Sequence, residues 1–75
     1  AEYVEEKHRM MRETLMELFG QAGARIPLLY GGSVHLDNAG ALICCDAVDG
    51  LFVGRSAWDA ARFDTIIRKA LRAVL

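Results

Sequence analysis

The chain reads as a parallel α/β unit ordered helix, strand, helix, strand, helix, and three observations predict it. Two short apolar runs, Ile26 to Tyr30 and Leu51 to Val53, each lead into a glycine-containing turn and then a helix-like segment. The runs are separated by about twenty residues, enough for the helical crossover that parallel strands require. Hydrophobic residues make up 53% of the chain, high for its length and in keeping with strands covered on both faces.

Residues 2 to 20 predict a helix. Val4, Met11, Leu15 and Leu18 recur three or four apart, with Phe19 beside them, and form one apolar stripe. Glu2, Glu5 and Glu6 favour the positive helix N-terminus, and Gly20 or Gly23 ends the run. The charged face is read as solvated, and His8 as packing on its own helix. Ile26 to Tyr30 is read as a buried strand, with Pro27 tolerated near its first residue. Asp37 or Asn38 caps a short helix through about Cys44, with Ala39, Leu42 and Ile43 as its apolar face. Asp49 and Gly50 lead into the second strand, Ser56 to Ala60 forms a tight turn, and Arg62 to Val74 forms the last helix. Phe63, Ile66, Ile67, Ala70, Leu71 and Val74 fall on one side of that helix. Two parallel strands alone are marginal, so both sheet edges are expected to need further chain. The apolar excess and the start at Ala1 instead of methionine give the same expectation.

Nine basic and ten acidic residues give a net charge of −1 with no block of one sign. That argues against a nucleic-acid arm and against a polybasic membrane anchor. No apolar run reaches the roughly 18 to 20 residues of a membrane span. Cys44 and Cys45 are adjacent and have no other cysteine to pair with. They are expected to be reduced thiols that pack in a cytosolic protein. Neither His8 nor His35 has metal-ligand spacing to them, so no metal site is expected.

The two glycine turns, Gly31-Gly32-Ser33 and Gly54-Arg55, carry the chemistry. Glycine lets backbone N–H groups approach an anion closely, and a helix N-terminus adds favourable charge. One such turn is weak evidence; two at corresponding ends of parallel strands point to a phosphate cradle.

Leu29-Tyr30-Gly31-Gly32-Ser33-Val34, with Asn38-Ala39, Asp49-Gly50 and Val53-Gly54 in register behind it, resembles the C-terminal portion of the triosephosphate isomerase family. The resemblance covers nearly the whole chain. It implies a partial (β/α)8 barrel, with residues 1–75 running from the sixth barrel helix to the eighth as the C-terminal part of a single domain. It also implies an isomerase of glycolysis and gluconeogenesis that interconverts dihydroxyacetone phosphate and glyceraldehyde 3-phosphate. The implied mechanism is base-catalysed proton transfer through an enediolate. No cofactor is implied, and the intact enzyme would be a cytoplasmic homodimer.

Residue by residue, the family pattern gives substrate phosphate to Gly32, Ser33, Gly54 and Arg55, chiefly through backbone N–H groups. Tyr30 and Ser33 match the latch that holds a mobile lid closed, the lid preceding Ala1. Arg12 and Asp49 match a structural ion pair. The family's catalytic lysine, histidine and glutamate have no counterparts here, so the chain alone is expected to be inactive and to need the missing N-terminal part of the barrel. One departure stands out: the family usually has a second glycine where this chain has Arg55, followed by Ser56-Ala57-Trp58. That departure resembles a branch acting on tetrulose phosphates, the L-erythrulose 1-phosphate isomerases. The alternatives are thus a four-carbon substrate, a non-enzymatic self-associating phosphate-binding module, or another phosphate-binding barrel. His35 is read as a surface-loop histidine and Trp58 as a packing anchor.

Overall fold

The computed structural model describes all 75 residues. The order is α1 (Glu2–Phe19), α2 (Gln21–Arg25), β1 (Leu29–Tyr30), α3 (Ala39–Ile43), β2 (Gly50–Leu51), a 3-10 turn at Arg55–Ala57, and α4 (Ala60–Val74). The strands pair in parallel, Leu29 opposite Gly50 and Tyr30 opposite Leu51.

Both strands are shorter than the apolar runs suggest. Asp49 N–H donates to Leu28 O at 2.9 Å and Phe52 N–H to Tyr30 O at 2.8 Å, so the ladder continues one bond past each end. Pro27 lies before the ladder, where its missing donor costs nothing. α2 is an addition to the sequence reading. It follows Gly20, whose φ of +61° is a conformation that favours glycine. Gly23 turns α2 back against α1 so closely that a Cβ there would run into the Leu15 carbonyl. α4 begins two residues earlier than expected. Asp59 Oδ1 accepts from the N–H groups of Ala61 (2.9 Å) and Arg62 (3.1 Å), which makes Asp59 the cap.

The core is small. Val34, Ala39, Leu42 and Ile66 form its buried cluster, with Val4, Tyr30, Leu36, Leu51 and Val53 packed against it. α1 docks differently from its apolar stripe. Met11, Leu18 and Phe19 are exposed. The face that docks carries Glu5, His8 and Arg12, spaced so that they line one side of a helix. Glu5 Oε1 accepts from Ala47 N–H at 2.7 Å, and His8 Nδ1 lies 3.1 Å from Ala47 O. Arg12 reaches Asp49. These side chains bind the loop before β2, so the face expected to be solvated is partly a polar seam. His8 bridges two elements instead of packing on its own helix, and it is buried.

On the other side an apolar groove of about 370 Å³ stays open. Phe63, Ile67, Leu71 and Val74 of α4 line it together with Leu51 and Val53. Leu29 and Phe52 are also exposed. No helix is long and apolar enough to cross a membrane.

Candidate functional site

Because the strands are parallel, the turns that leave them emerge at the same sheet end. The backbone bond from Phe52 to Tyr30 O ties the two strand ends together just before the turns. The turns then enclose one cleft of about 310 Å³, lined by Gly32, Ser33, Val34, His35, Gly54, Arg55 and Ser56. Residues about twenty apart in sequence thus share a wall, as a parallel crossover demands.

Asn38, expected with Asp37 as a candidate helix cap, orders the first turn instead. Its Oδ1 accepts from His35 N–H at 2.8 Å and its Nδ2 donates to Ser33 O at 2.6 Å. It stands at the N-cap position of α3, yet no side-chain bond caps that helix. The side chain instead reaches backward and closes the loop that presents Ser33. Asn in a turn sequence is the available signal for such a bond.

The second turn runs straight into the 3-10 segment. Ala57 N–H donates to Gly54 O at 2.9 Å and Trp58 N–H to Arg55 O at 3.0 Å. The N–H groups at the start of such a turn have no helical acceptor behind them. Arg55 and Ser56, which open this turn, line the cleft.

Tyr30 stands beside the cleft, not in its lining. Its hydroxyl lies where a Cβ on Gly32 would be, so Gly32 gives the phenol room. The ring is half-buried against the core and faces the His8 ring, with centroids 6.1 Å apart and planes tilted by 52°. Of the expected site residues, Gly32, Ser33, Gly54 and Arg55 thus come together in the cleft, and Tyr30 adjoins it. Arg12 and Asp49 meet elsewhere, on the seam between α1 and the loop before β2.

His35 lines the cleft and is exposed; its Nδ1 accepts from Asp37 N–H at 3.2 Å, a backbone partner and not a carboxylate. Trp58, expected to anchor packing, is 84% exposed and packs on little of this chain. Cys44 is exposed and Cys45 half-buried. Their thiols diverge: Cys44 Sγ lies 3.4 Å from Ala73 O on α4, and Cys45 Sγ 3.7 Å from Ala1 O and 3.6 Å from Ala41 O. Desolvation, followed by the nearby Glu5 charge, pushes the Cys45 thiol above its ordinary value. No group of three or more His, Cys, Asp or Glu side chains is placed to hold a metal.

Residues 1–70 match the family model described as triosephosphate isomerase. Among curated relatives, the chain is 39% identical over 74 residues to an L-erythrulose-1-phosphate isomerase of Rhizobium meliloti (strain 1021), covering 99% of this chain and 28% of that protein. It is 47% identical over 64 residues to a triosephosphate isomerase of Nitratidesulfovibrio vulgaris (strain DP4), covering 85% of this chain and 26% of that protein. The crystal structure of triosephosphate isomerase from Bartonella henselae superposes with a TM-score of 0.83 at 38% identity, over 88% of this chain and 28% of that one. The chain therefore spans little more than a quarter of the length of the proteins it resembles.

Proposed function

The chain belongs to the triosephosphate isomerase family, with part of a (β/α)8 barrel as its fold, and on that premise we propose that it forms the phosphate-gripping C-terminal part of a sugar-phosphate isomerase. One observation carries the proposal: two glycine turns, from different strands of a parallel pair, line one cleft. Backbone N–H groups at Ser33, Gly54 and Arg55 hold the substrate phosphate there, and Gly32 keeps the wall thin enough for a close approach. Residues 1–75 are then the C-terminal part of a single barrel domain. The rest of that domain covers the groove along α4 and the open strand edges.

In the intact enzyme this grip fixes one end of the substrate while a base supplied elsewhere moves a proton next to the carbonyl. Anchoring a remote phosphate helps chemistry because binding energy at the non-reacting end orients the reacting end. Tyr30 and Ser33 serve as the latch of the lid that closes over the site. The substrate is dihydroxyacetone phosphate with its product glyceraldehyde 3-phosphate. A second reading, L-erythrulose 1-phosphate as substrate, is favoured by Arg55 among the cleft-lining residues. The Rhizobium meliloti relative bears that activity in its name.

The full-length protein carrying this chain, purified from an isomerase-deleted host, tests the proposal. Turnover of either sugar phosphate is expected, with competitive inhibition by inorganic phosphate. No turnover of either, together with no inhibition or binding by inorganic phosphate, would falsify the reading.

A further inference from the structure

His8 is the buried polar side chain of this fold, at 4% exposure. Burying an imidazole costs free energy unless its nitrogens are used. Here Nδ1 lies 3.1 Å from Ala47 O. A carbonyl only accepts, so Nδ1 carries the proton and donates. Ala47 is held from both sides by the same helix, because its own N–H donates to Glu5 Oε1 at 2.7 Å. The imidazole is therefore fixed in orientation by a loop that is itself fixed. The ring it presents faces Tyr30 at 6.1 Å, within the range of interacting aromatic rings. The Tyr30 hydroxyl occupies the space left by the missing Cβ of Gly32. Tyr30 thus has an oriented imidazole against its ring and a glycine against its hydroxyl.

We propose that His8 is a positioning residue that sets the Tyr30 ring, and through it the placement of the Tyr30 hydroxyl beside the cleft. The proposal rests on the reading of Tyr30 as part of the lid latch. His8 touches neither the cleft nor its ligand; its whole effect passes through Tyr30. The donor to Ala47 O holds the imidazole still, and the ring does the positioning.

The experiment uses the full-length protein with three substitutions. His8→Asn keeps a short N–H donor for Ala47 O and removes the ring. His8→Phe keeps a ring and removes the donor. Tyr30→Phe removes the hydroxyl being placed, and it also identifies the Tyr30 signal in protein labelled with ¹³C at the tyrosine ζ carbon. His8→Asn is expected to move that signal and to lower kcat about tenfold, inside the roughly hundredfold that a misplacement of about an ångström can cost. Its affinity for inorganic phosphate should stay within about twofold of the parent, since the cleft wall is untouched. His8→Phe should recover part of the lost kcat. In the Tyr30→Phe background, His8→Asn should lower kcat no further. An unmoved Tyr30 signal in His8→Asn overturns the positioning role. An equal loss of kcat with and without the Tyr30 hydroxyl overturns the route through Tyr30. A Tyr30→Phe enzyme with parental kcat overturns the latch reading itself, which the NMR signal tells apart from a failure of positioning.

Discussion

Arg12 Nη2 donates to Asp49 Oδ2 at 2.8 Å, joining α1 to the residue that enters β2 across 37 positions of sequence. The pair is the centre of a larger junction. Arg12 Nη1 also donates to Gly23 O at 2.7 Å and Ile26 O at 2.6 Å, and Asp49 Oδ2 accepts from Leu28 N–H at 2.8 Å. One guanidinium thus holds α1, α2, the lead into β1 and the lead into β2. Arginine suits this because its planar fork presents several fixed donors at once.

The junction predicts unequal mutational costs. Side-chain exposure is 20% for Arg12 and 43% for Asp49. Partial exposure puts their pairwise coupling between the roughly 0 to 1 kcal/mol of a surface pair and the roughly 3 to 5 kcal/mol lost on breaking a buried one. A coupling of about 1 to 2 kcal/mol is expected from a double-mutant cycle of Arg12→Ala and Asp49→Ala in the full-length protein. Arg12→Ala should cost more than Asp49→Asn, because it also releases two carbonyls. Urea unfolding measures all four variants; a coupling near zero removes the pair from the stability of the fold.

The 75-residue chain by itself is expected to have no isomerase activity. Its cleft holds no carboxylate, and its one imidazole, His35, has Nδ1 occupied by the Asp37 N–H at 3.2 Å. A proton transfer needs a base within reach of the substrate. Dihydroxyacetone phosphate and L-erythrulose 1-phosphate are the assay substrates. Turnover above a mock preparation from an isomerase-deleted host defeats the expectation.

Arg55→Gly is expected to shift the full-length enzyme toward the three-carbon substrate. Arg55 lines the cleft, and a guanidinium turned toward the ligand would add a permanent charge and up to five donors, which help a longer sugar more than a shorter one. The readout is the ratio of kcat/KM for triose and tetrulose phosphates in parent and variant. An unchanged ratio means Arg55 does not set chain length.

Two glycines of the cleft should respond differently to alanine. At Gly32 the new Cβ meets the Tyr30 hydroxyl, whereas at Gly54 nothing lies within 4 Å. Gly32→Ala should therefore lower stability by about 1 to 3 kcal/mol, the usual cost of overpacking. Gly54→Ala should leave the melting temperature close to that of the parent. The reverse order would show that Tyr30 yields easily and is not confined by Gly32.

Cys44 should react with iodoacetamide well before Cys45. Cys44 is exposed, while the Cys45 thiol resists ionisation through burial and the Glu5 charge. The sign for stability follows. A thiol harder to ionise when folded costs nothing below the ordinary value of 9.0 and reduces stability as pH rises beyond it. Peptide mass spectrometry after timed alkylation, and melting between pH 8 and about 10.5 in parent and Cys45→Ser, check the two halves. Equal alkylation rates refute the first, and a loss at high pH identical in Cys45→Ser refutes the second.

Local patterns in the sequence were enough for α1, the two strands, α3 and α4 in their order, for the parallel crossover and for the glycine turns, but not for α2. Periodicity, capping residues and glycine placement act over a few residues, and they are written in consecutive letters. The same holds for Gly32-Ser33 and Gly54-Arg55 as cleft-lining residues. Strand lengths were less legible, because Ile26 and Val53 are apolar whether or not a partner backbone lies opposite. The docking face of α1 was hidden for a different reason. Glu5, His8 and Arg12 look like a solvated face until Ala47 and Asp49 arrive from forty residues away to accept and donate. A polar side chain carries no local mark of whether water or a distant backbone group will satisfy it. Asn38 was legible as a turn residue but not as the brace of Ser33, since only the folded loop decides which way its amide turns. Tertiary structure alone therefore decided which polar groups were buried, because that depends on partners that the chain brings together only when it folds.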